Sequence, residues 1–170
     1  RHAVEEIAFA DGTVWGLEEI RSQVLLGGHA NDELRGFSER DDLIEGDAGN
    51  DKLTGLSGDD TLAGGTGDDF FEGGTGSDTY RFGRGDGNDT IIEDSWQQGE
   101  TDRIELKAGV LSSEGRLERR RTVHGWQVSD DLKIIIRDTG ETLTVKSHFN
   151  ESNRHAVEEI AFADGTVWGL

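Results

Sequence analysis

Aspartate residues recur about every nine positions in the first half of the chain, and their carboxylates are the side chains best placed to bind a ligand. Aligning them divides residues 27–92 into seven units, with Glu45 and the pair Phe82 and Gly83 as insertions. The units read GGHANDELR (27–35), GFSERDDLI (36–44), GDAGNDKLT (46–54), GLSGDDTLA (55–63), GGTGDDFFE (64–72), GGTGSDTYR (73–81) and RGDGNDTII (84–92). The recurring aspartates are Asp32, Asp41, Asp51, Asp60, Asp69, Asp78 and Asp89.

A large apolar residue follows each aspartate two positions later. These residues are Leu34, Leu43, Leu53, Leu62, Phe71, Tyr80 and Ile91. The pattern predicts that each unit is a six-residue polar turn and a three-residue strand with one inward side chain. Glycine in the turn permits positive φ angles and a close approach of the backbone. Because such a strand is not stable alone, we expect two units to complete one coil of a parallel roll.

Stacking of the coils would bring the aspartates together at two edges, with like turns about 4.8 Å apart. One edge would carry Asp32, Asp51, Asp69 and Asp89, and the other Asp41, Asp60 and Asp78. Carboxylates at this spacing repel each other unless a cation lies between them. Ca²⁺ accepts six to eight carboxylate and carbonyl oxygens, whereas Mg²⁺ demands a stricter octahedron. Zn²⁺ prefers His or Cys, and His29 is the one such residue in the turns.

The units resemble the GGxGxDxUx calcium-binding repeat of RTX proteins, where U is a large apolar residue. GGTGDDFFE and GGTGSDTYR fit the motif in full, whereas Ala30 and Glu39 replace a motif glycine in the first two units. YRFGRGDGNDTIIED and DLKIIIRDTGETLTVKSHF resemble the haemolysin-type calcium-binding-related region that follows such repeats. The resemblance implies that the sixth-position aspartates bind Ca²⁺. Because alternate turns stack at one edge, we expect about three to five ions, held by pairs such as 51/69, 60/78 and 69/89. The resemblance also implies carbonyl ligands in the turns, at Gly49, Gly58, Gly65, Gly67, Gly74 and Gly76.

Composition narrows the classes of partner. The chain has a formal net charge of −19, and residues 27–94 contain 18 acidic against 5 basic residues. Such acidity argues against nucleic acid as a partner, because nucleic acid is itself a polyanion. There is no cysteine, so no disulfide or thiolate site can form. The sequence has no apolar stretch long enough to span a membrane and no visible secretory signal.

A second repeat has a much longer period. Residues 1–17 read RHAVEEIAFADGTVWGL, and residues 154–170 read the same seventeen letters. We interpret the chain as one period of a tandem array plus the start of the next; an engineered duplication is the alternative. Either way the two copies should form the same local structure. Neighbouring modules of the array are therefore expected partners, and each module is expected to be a monomer.

The flanks are predicted to cap the roll. Residues 1–26 would form a hairpin and a short helix, residues 27–92 the roll, and residues 93–170 a region of antiparallel strands. DRIEL, WQVSDDLKIIIRD and ETLTVKSHF alternate apolar and polar residues, and turns are predicted at 138–141 and at Asp164-Gly165. The fold class is thus all-β, a right-handed parallel β-roll with small caps.

No catalytic motif is visible, and no enzyme activity is predicted. One inward apolar side chain per nine residues buries too little surface to offset the entropy of ordering the unit, so we expect the roll to be unfolded without Ca²⁺. By resemblance, the module would leave a bacterium unfolded by a one-step (type I) export route. It would then fold outside the cell or at its surface, as a folding nucleus or spacer of a toxin or adhesin. The alternative is an adhesin module that binds a ligand or surface in a calcium-dependent way.

Overall fold

The computed structural model describes residues 5–93, 99–124, 127–149 and 157–170. Apart from one short helix, its regular elements are all strands. In chain order they are β1 (Glu6–Ala8), β2 (Val14–Gly16), α1 (Leu17–Gln23), β3 (Glu33–Arg35), β4 (Leu43–Glu45), β5 (Lys52–Ser57), β6 (Thr61–Ala63), β7 (Phe70–Thr75), β8 (Thr79–Phe82), β9 (Asn88–Ile91), β10 (Asp102–Leu106), β11 (Gly115–His124), β12 (Gln127–Ile136), β13 (Thr142–Val145), β14 (Val157–Ala161) and β15 (Val167–Gly169). No helix in these ranges is long and apolar enough to cross a membrane.

Alternate strands of the repeat region belong to alternate sheets. One sheet runs in the order β15-β14-β10-β8-β6-β4, and the other in the order β11-β12-β13-β9-β7-β5-β3. Neighbouring strands within the repeats are parallel, with Leu53 opposite Phe71 and Leu62 opposite Tyr80. Each coil therefore takes two units, one strand for each sheet. The predicted all-β fold, a parallel β-roll, is confirmed.

The core is the column of apolar side chains between the two sheets. Leu53, Leu62, Phe71, Tyr80 and Ile91 are fully buried, as the nine-residue spacing predicts. Leu34, in the first coil, is half-buried against the same cluster.

The predicted register of the second unit is wrong by one residue. Leu43 is exposed, whereas Ile44 is fully buried and lies opposite Leu62. The extra residue of this unit therefore lies in its turn, before Asp42, and is not Glu45 as the alignment predicts. A strand has a side-chain period of two, so a shift by one residue exchanges the inward and outward faces.

The segment after the repeats extends the roll as well as capping it. The prediction of antiparallel strands is wrong for the segment DRIEL: β10 is parallel to β8 on one side and to β14 on the other. β13 likewise is parallel to β9. The long pair β11 and β12 is antiparallel, and residues 138–141 form the predicted turn into β13. Both sheets thus continue beyond the last nonapeptide.

The duplicated segments form the same hairpin. Ile7 lies opposite Trp15 in the first copy, and Ile160 lies opposite Trp168 in the second. The two amides at the strand ends, Phe9 N–H and Phe162 N–H, each donate to a threonine carbonyl at 2.8 Å. The expectation of one local structure for both copies is therefore confirmed over the residues described.

Candidate calcium-binding site

Successive turns on each edge of the roll are joined by a ladder of aspartate side chains. The amide of each aspartate donates to the Oδ1 atom of the aspartate one coil further on. On one edge the bonds run from Asp32 to Asp51 (2.8 Å), from Asp51 to Asp69 (2.8 Å) and from Asp69 to Asp89 (3.0 Å). On the other edge they run from Asp42 to Asp60, from Asp60 to Asp78 (2.8 Å each) and from Asp78 to Asp102 (2.9 Å). We call these series the inner ladders.

The second oxygen of five inner-ladder carboxylates is buried with no hydrogen-bond partner in the protein. These atoms are the Oδ2 atoms of Asp51, Asp60, Asp69, Asp78 and Asp89. An unpaired carboxylate oxygen removed from water is costly, so native proteins supply a proton, a donor or a cation to it. The arrangement thus fits a cation that binds between the coils.

The backbone of the turns comes unusually close across the coils. A Cβ atom built on Gly67 would lie 1.8 Å from the carbonyl oxygen of Gly49, and one built on Gly76 would lie 2.2 Å from that of Gly58. All six glycines predicted as carbonyl ligands have positive φ. These are Gly49 (130°), Gly58 (124°), Gly65 (97°), Gly67 (137°), Gly74 (112°) and Gly76 (125°). Glycine is therefore required there for space as well as for backbone conformation.

A cation bound between the coils would need carbonyl as well as carboxylate oxygens. Within the ranges that the structure describes, no three His, Cys, Asp or Glu side chains converge as a cluster able to hold a metal by themselves. Each turn instead contributes one inner-ladder carboxylate beside a stack of main-chain carbonyls. That mixed oxygen set suits Ca²⁺, which takes many oxygen ligands in flexible geometry, and it offers nothing for metals that need nitrogen or sulfur.

Burial raises the pKa values of the inner-ladder carboxyls. Desolvation raises the pKa of Asp60 and of Asp78 to about 7, and repulsion from Asp42 and Asp60, respectively, adds to the effect. The same causes raise the pKa of Asp69 to about 6 and that of Asp89 to about 8. The protein alone thus opposes the charged form of these groups, and a bound cation would favour it.

Asp41 is not in an inner ladder, contrary to the predicted alignment. Its Oδ1 atom accepts the amide of Asp59 at 2.8 Å, and Asp59 in turn accepts the amide of Ser77. Asp41 therefore belongs to an exposed outer ladder of fifth-position residues. Asp42 takes its place in the inner ladder, because the second turn contains one extra residue.

The first two turns also differ in how their carboxylates are paired. Asp32 Oδ2 accepts the amide of Gly28 at 2.8 Å, and Asp42 Oδ2 accepts the amide of Phe37 at 2.6 Å. These oxygens have a partner within the protein, unlike the five described above. The observation agrees with the departure of these two units from the repeat motif.

Sequence reasoning missed two buried acids beyond the last repeat. Asp102 continues one inner ladder, and desolvation raises its pKa to about 7. Glu93 has both carboxylate oxygens buried without a partner, and desolvation followed by repulsion from Asp102 raises its pKa to about 10. The segment DRIEL does carry the signal of an aspartate two residues before a large apolar residue. It lies outside the nine-residue spacing, which is why the alignment stops short of it.

Two family models match this chain. The RTX calcium-binding nonapeptide repeat (4 copies) matches residues 28–62, 38–71 and 54–91. The haemolysin-type calcium binding protein related domain matches residues 131–170. The resemblance predicted from the sequence is confirmed: the residues that match the RTX repeat model, 28–91, are those that form the β-roll. A comparison with curated protein sequences gives no match.

Solved structures that resemble this chain include parts of two enzymes. The AlgE6R3 subunit of the Azotobacter vinelandii mannuronan C5-epimerase is 26% identical, with a TM-score of 0.60, and 83% of each chain is covered. The extracellular lipase LipA from Serratia marcescens is 23% identical with a TM-score of 0.50; the match covers 84% of this chain and 20% of the lipase. The second likeness concerns the fold alone, and the activities named belong to those proteins.

Proposed function

We propose that this module folds around Ca²⁺ ions held between successive turns and serves as a calcium-dependent folding nucleus and spacer. The observation that carries the proposal is the set of five buried aspartate Oδ2 atoms with no partner in the protein. Two separate rows of such atoms, one on each edge, repeat with the coil. A chance defect in packing would not repeat in this way.

Calcium supplies what the chain itself lacks. Each coil buries few apolar side chains, and the inner-ladder carboxylates repel one another along both edges. A divalent cation bound between neighbouring turns removes the repulsion and compensates the buried oxygens, so its binding free energy becomes folding free energy. Extracellular calcium modules bind with a Kd of about 10⁻⁴–10⁻³ M. We therefore expect folding in millimolar Ca²⁺ and an unfolded chain in a cell interior.

The ions are assigned to neighbouring turns of one edge. The pairs Asp51/Asp69, Asp60/Asp78 and Asp69/Asp89 are the strongest, because all members have an unpaired Oδ2 atom. The pair Asp78/Asp102 is a fourth candidate, since the ladder continues to Asp102. Asp32 and Asp42 are the weakest candidates, for the reason given above. We propose three to five ions in total.

The proposed setting is a secreted bacterial protein of the toxin or adhesin type, with the module outside the cell or at its surface. A chain that stays unfolded at low calcium suits one-step export, and the absence of cysteine makes folding independent of the redox state of either compartment. We propose a monomeric module divided into residues 1–26, 27–92 and 93–170. Its partners would be calcium and neighbouring modules.

Circular dichroism of the whole chain at neutral pH tests the proposal. Titration of the calcium-free protein with Ca²⁺ should produce a cooperative gain of strand signal in the millimolar range, and a chelator should reverse it. Mg²⁺ at the same concentration serves as the control and should have much less effect. Strand content that does not change on chelation would refute the proposal.

A further inference from the structure

The two identical hairpins are packed very differently. In the second copy, Ile160 is fully buried and Phe162 is 5% exposed. Their equivalents in the first copy, Ile7 and Phe9, are 39% and 40% exposed. The opposite face of the hairpin is exposed in both copies, since Val14 in the first and its equivalent Val167 in the second are 55% and 49% exposed. One apolar face of the first hairpin is therefore uncovered, and the second copy shows what covers it.

The covering surface is β10, the strand next to β14 in the sheet, with the segment that follows it. β14 pairs with β10 in parallel, with Ile160 opposite Ile104 and Ala161 opposite Glu105. The ring of Phe162 packs over Gly115, where a Cβ atom would lie 2.9 Å from the ring. We call this surface, residues 102–115, the acceptor edge.

Polar contacts give the docking a defined register. The amide of Asp102 donates to Glu158 Oε2 at 2.7 Å. Ser112 donates to Asp164 Oδ2 through its amide at 3.0 Å and through its hydroxyl at 2.8 Å. The first hairpin has the same acidic residues, Glu5 and Asp11, at the equivalent positions.

We propose that the hairpin of residues 5–16 docks on the acceptor edge of a second copy of this module and completes that copy's roll. The inference rests on the proposed function, because the acceptor edge is the end of the calcium-folded roll. In a tandem array, one hairpin would then be the last pair of strands of one roll, and the helix that follows it would begin the next. Successive rolls would share a rigid junction without a flexible linker.

The geometry of the chain permits this junction. In the second copy, β15 lies on the far side of β14 from β10. A helix that follows the outer strand, as α1 follows β2, therefore leaves the acceptor edge clear. α1 itself is held at the opposite end of the roll, where Glu18 forms an ion pair with Arg40 and Arg21 lies over the ring of Phe37.

The first hairpin cannot reach the acceptor edge of its own chain while α1 keeps these contacts. Four strand spacings, about 19 Å, separate β4 from the position of β14. Docking must therefore be between chains. In the unmodified chain the tethered second hairpin has the advantage of a millimolar effective concentration. The unmodified chain is accordingly expected to stay monomeric, and the exchange becomes visible when the second hairpin is weakened.

Ile160→Asp in the full chain tests the proposal in saturating calcium. The variant frees the acceptor edge, so the first hairpin of another molecule should dock on it. Each molecule then has one donor and one acceptor, and sedimentation velocity should show concentration-dependent head-to-tail oligomers. Adding Ile7→Asp should abolish the association. Adding Val14→Asp, which places the same charge on the other face of the hairpin, should leave it intact.

A labelled peptide of residues 1–17 provides a second measurement. It should bind the Ile160→Asp protein at least tenfold more tightly than the unmodified chain, and the peptide with Ile7→Asp should not bind. If Ile160→Asp prevents the calcium-induced gain of strand signal, the same experiments use Ile160→Ala, which removes packing but adds no charge. Monomers without peptide binding would overturn the inference, and so would association that survives Ile7→Asp. The calcium titration of the unmodified chain is a separate measurement. It therefore distinguishes a failure of the proposed calcium-dependent folding from a failure of the hairpin to dock.

Discussion

At the scale of single residues, two adjacent aspartates in the same turn have opposite surroundings. Asp59 is exposed and belongs to an outer ladder, whereas Asp60 is buried with an unpaired Oδ2 atom. The difference comes from the position within the repeat, since both residues have the same side chain and lie in the same loop. Position in the turn, not the local density of acidic residues, thus decides which carboxylates are candidate ligands.

Asp60→Asn should raise the Ca²⁺ concentration at the folding midpoint several-fold. The asparagine Oδ1 atom can still accept the amide of Asp42, but the charged oxygen is lost from the inner ladder. Asp59→Asn removes the same charge from the exposed neighbour and should move the midpoint less than twofold. Calcium titrations followed by circular dichroism measure both. Equal shifts for the two variants would mean that only the net charge matters.

Glu39 is an exposed residue with a φ of 63°, in the turn of the second unit. A left-handed conformation costs a residue with a Cβ atom about 1–2 kcal/mol, partly offset by the greater entropy loss of glycine. Glu39→Gly should therefore stabilise the calcium-loaded protein by about 0.5–1 kcal/mol.

Glu33→Gly is the matched control. It removes the same charge from an exposed position in the strand β3, where glycine is unfavourable. It should destabilise by about 0.5–1 kcal/mol. Urea unfolding in saturating Ca²⁺ measures both variants. If both variants change the free energy of unfolding in the same direction, the left-handed conformation of Glu39 does not cost significant stability.

At the scale of the elements, the second unit tests the corrected register. Ile44 is fully buried opposite Leu62, and Leu43 is exposed. Ile44→Ala should destabilise the calcium-loaded roll by about 2–5 kcal/mol, because it leaves a cavity in the core. Leu43→Ala should change the stability by about 0.5 kcal/mol or less. If urea unfolding shows that Leu43→Ala destabilises the protein more than Ile44→Ala, the original alignment, with Asp41 in the inner ladder and Leu43 in the core, is correct.

The nine-residue spacing is sufficient to predict the elements of the roll from the third unit onward. It predicts the two edges, the inward column from Leu53 to Ile91 and the glycines with positive φ. It fails at the second unit, because the sequence has adjacent acidic residues, Asp41 and Asp42, followed by two adjacent apolar residues. Either alignment satisfies the local pattern, and only the partner strand β6 decides between them.

The strands after the repeats could be predicted in type but not in pairing. The alternation of apolar and polar residues in DRIEL indicates a strand with one buried face. The same alternation occurs in parallel and in antiparallel sheets, so it does not predict the direction of the neighbouring strands. Pairing with β8 and β14 depends on long-range contacts. The burial of Glu93 and Asp102 follows from that pairing, so the sequence spacing alone could not reveal it.

At the scale of the whole molecule, the raised pKa values imply that acid partly replaces calcium. The pKa of Asp69 is raised to about 6, those of Asp60 and Asp78 to about 7, and that of Asp89 to about 8. A carboxyl with a raised pKa in the folded state favours folding below its ordinary pKa, near 4, and this contribution is lost as the pH rises through the raised value. Without calcium, the fold should therefore be least stable above pH 8.

Lowering the pH of the calcium-free protein from 8 to 5.5 should increase its strand signal. The lower value stays above the isoelectric point of about 4.4, where precipitation would interfere. With saturating Ca²⁺ the trend should reverse, because protons compete with the cation for the same oxygens. Circular dichroism across this range measures both arms. A calcium-free signal that is independent of pH would contradict the burial of these carboxyls.

The length of one coil has a mechanical consequence. In the regular part of the roll, equivalent positions are 18 residues apart, as between Asp51 and Asp69. Those residues advance the folded roll by about 4.8 Å, whereas the same stretch pulled straight spans about 60 Å. Once the ions are lost, a pulling force can thus lengthen each coil more than tenfold, so an anchored array of such modules would act as a tether whose reach under tension depends on the calcium concentration around it.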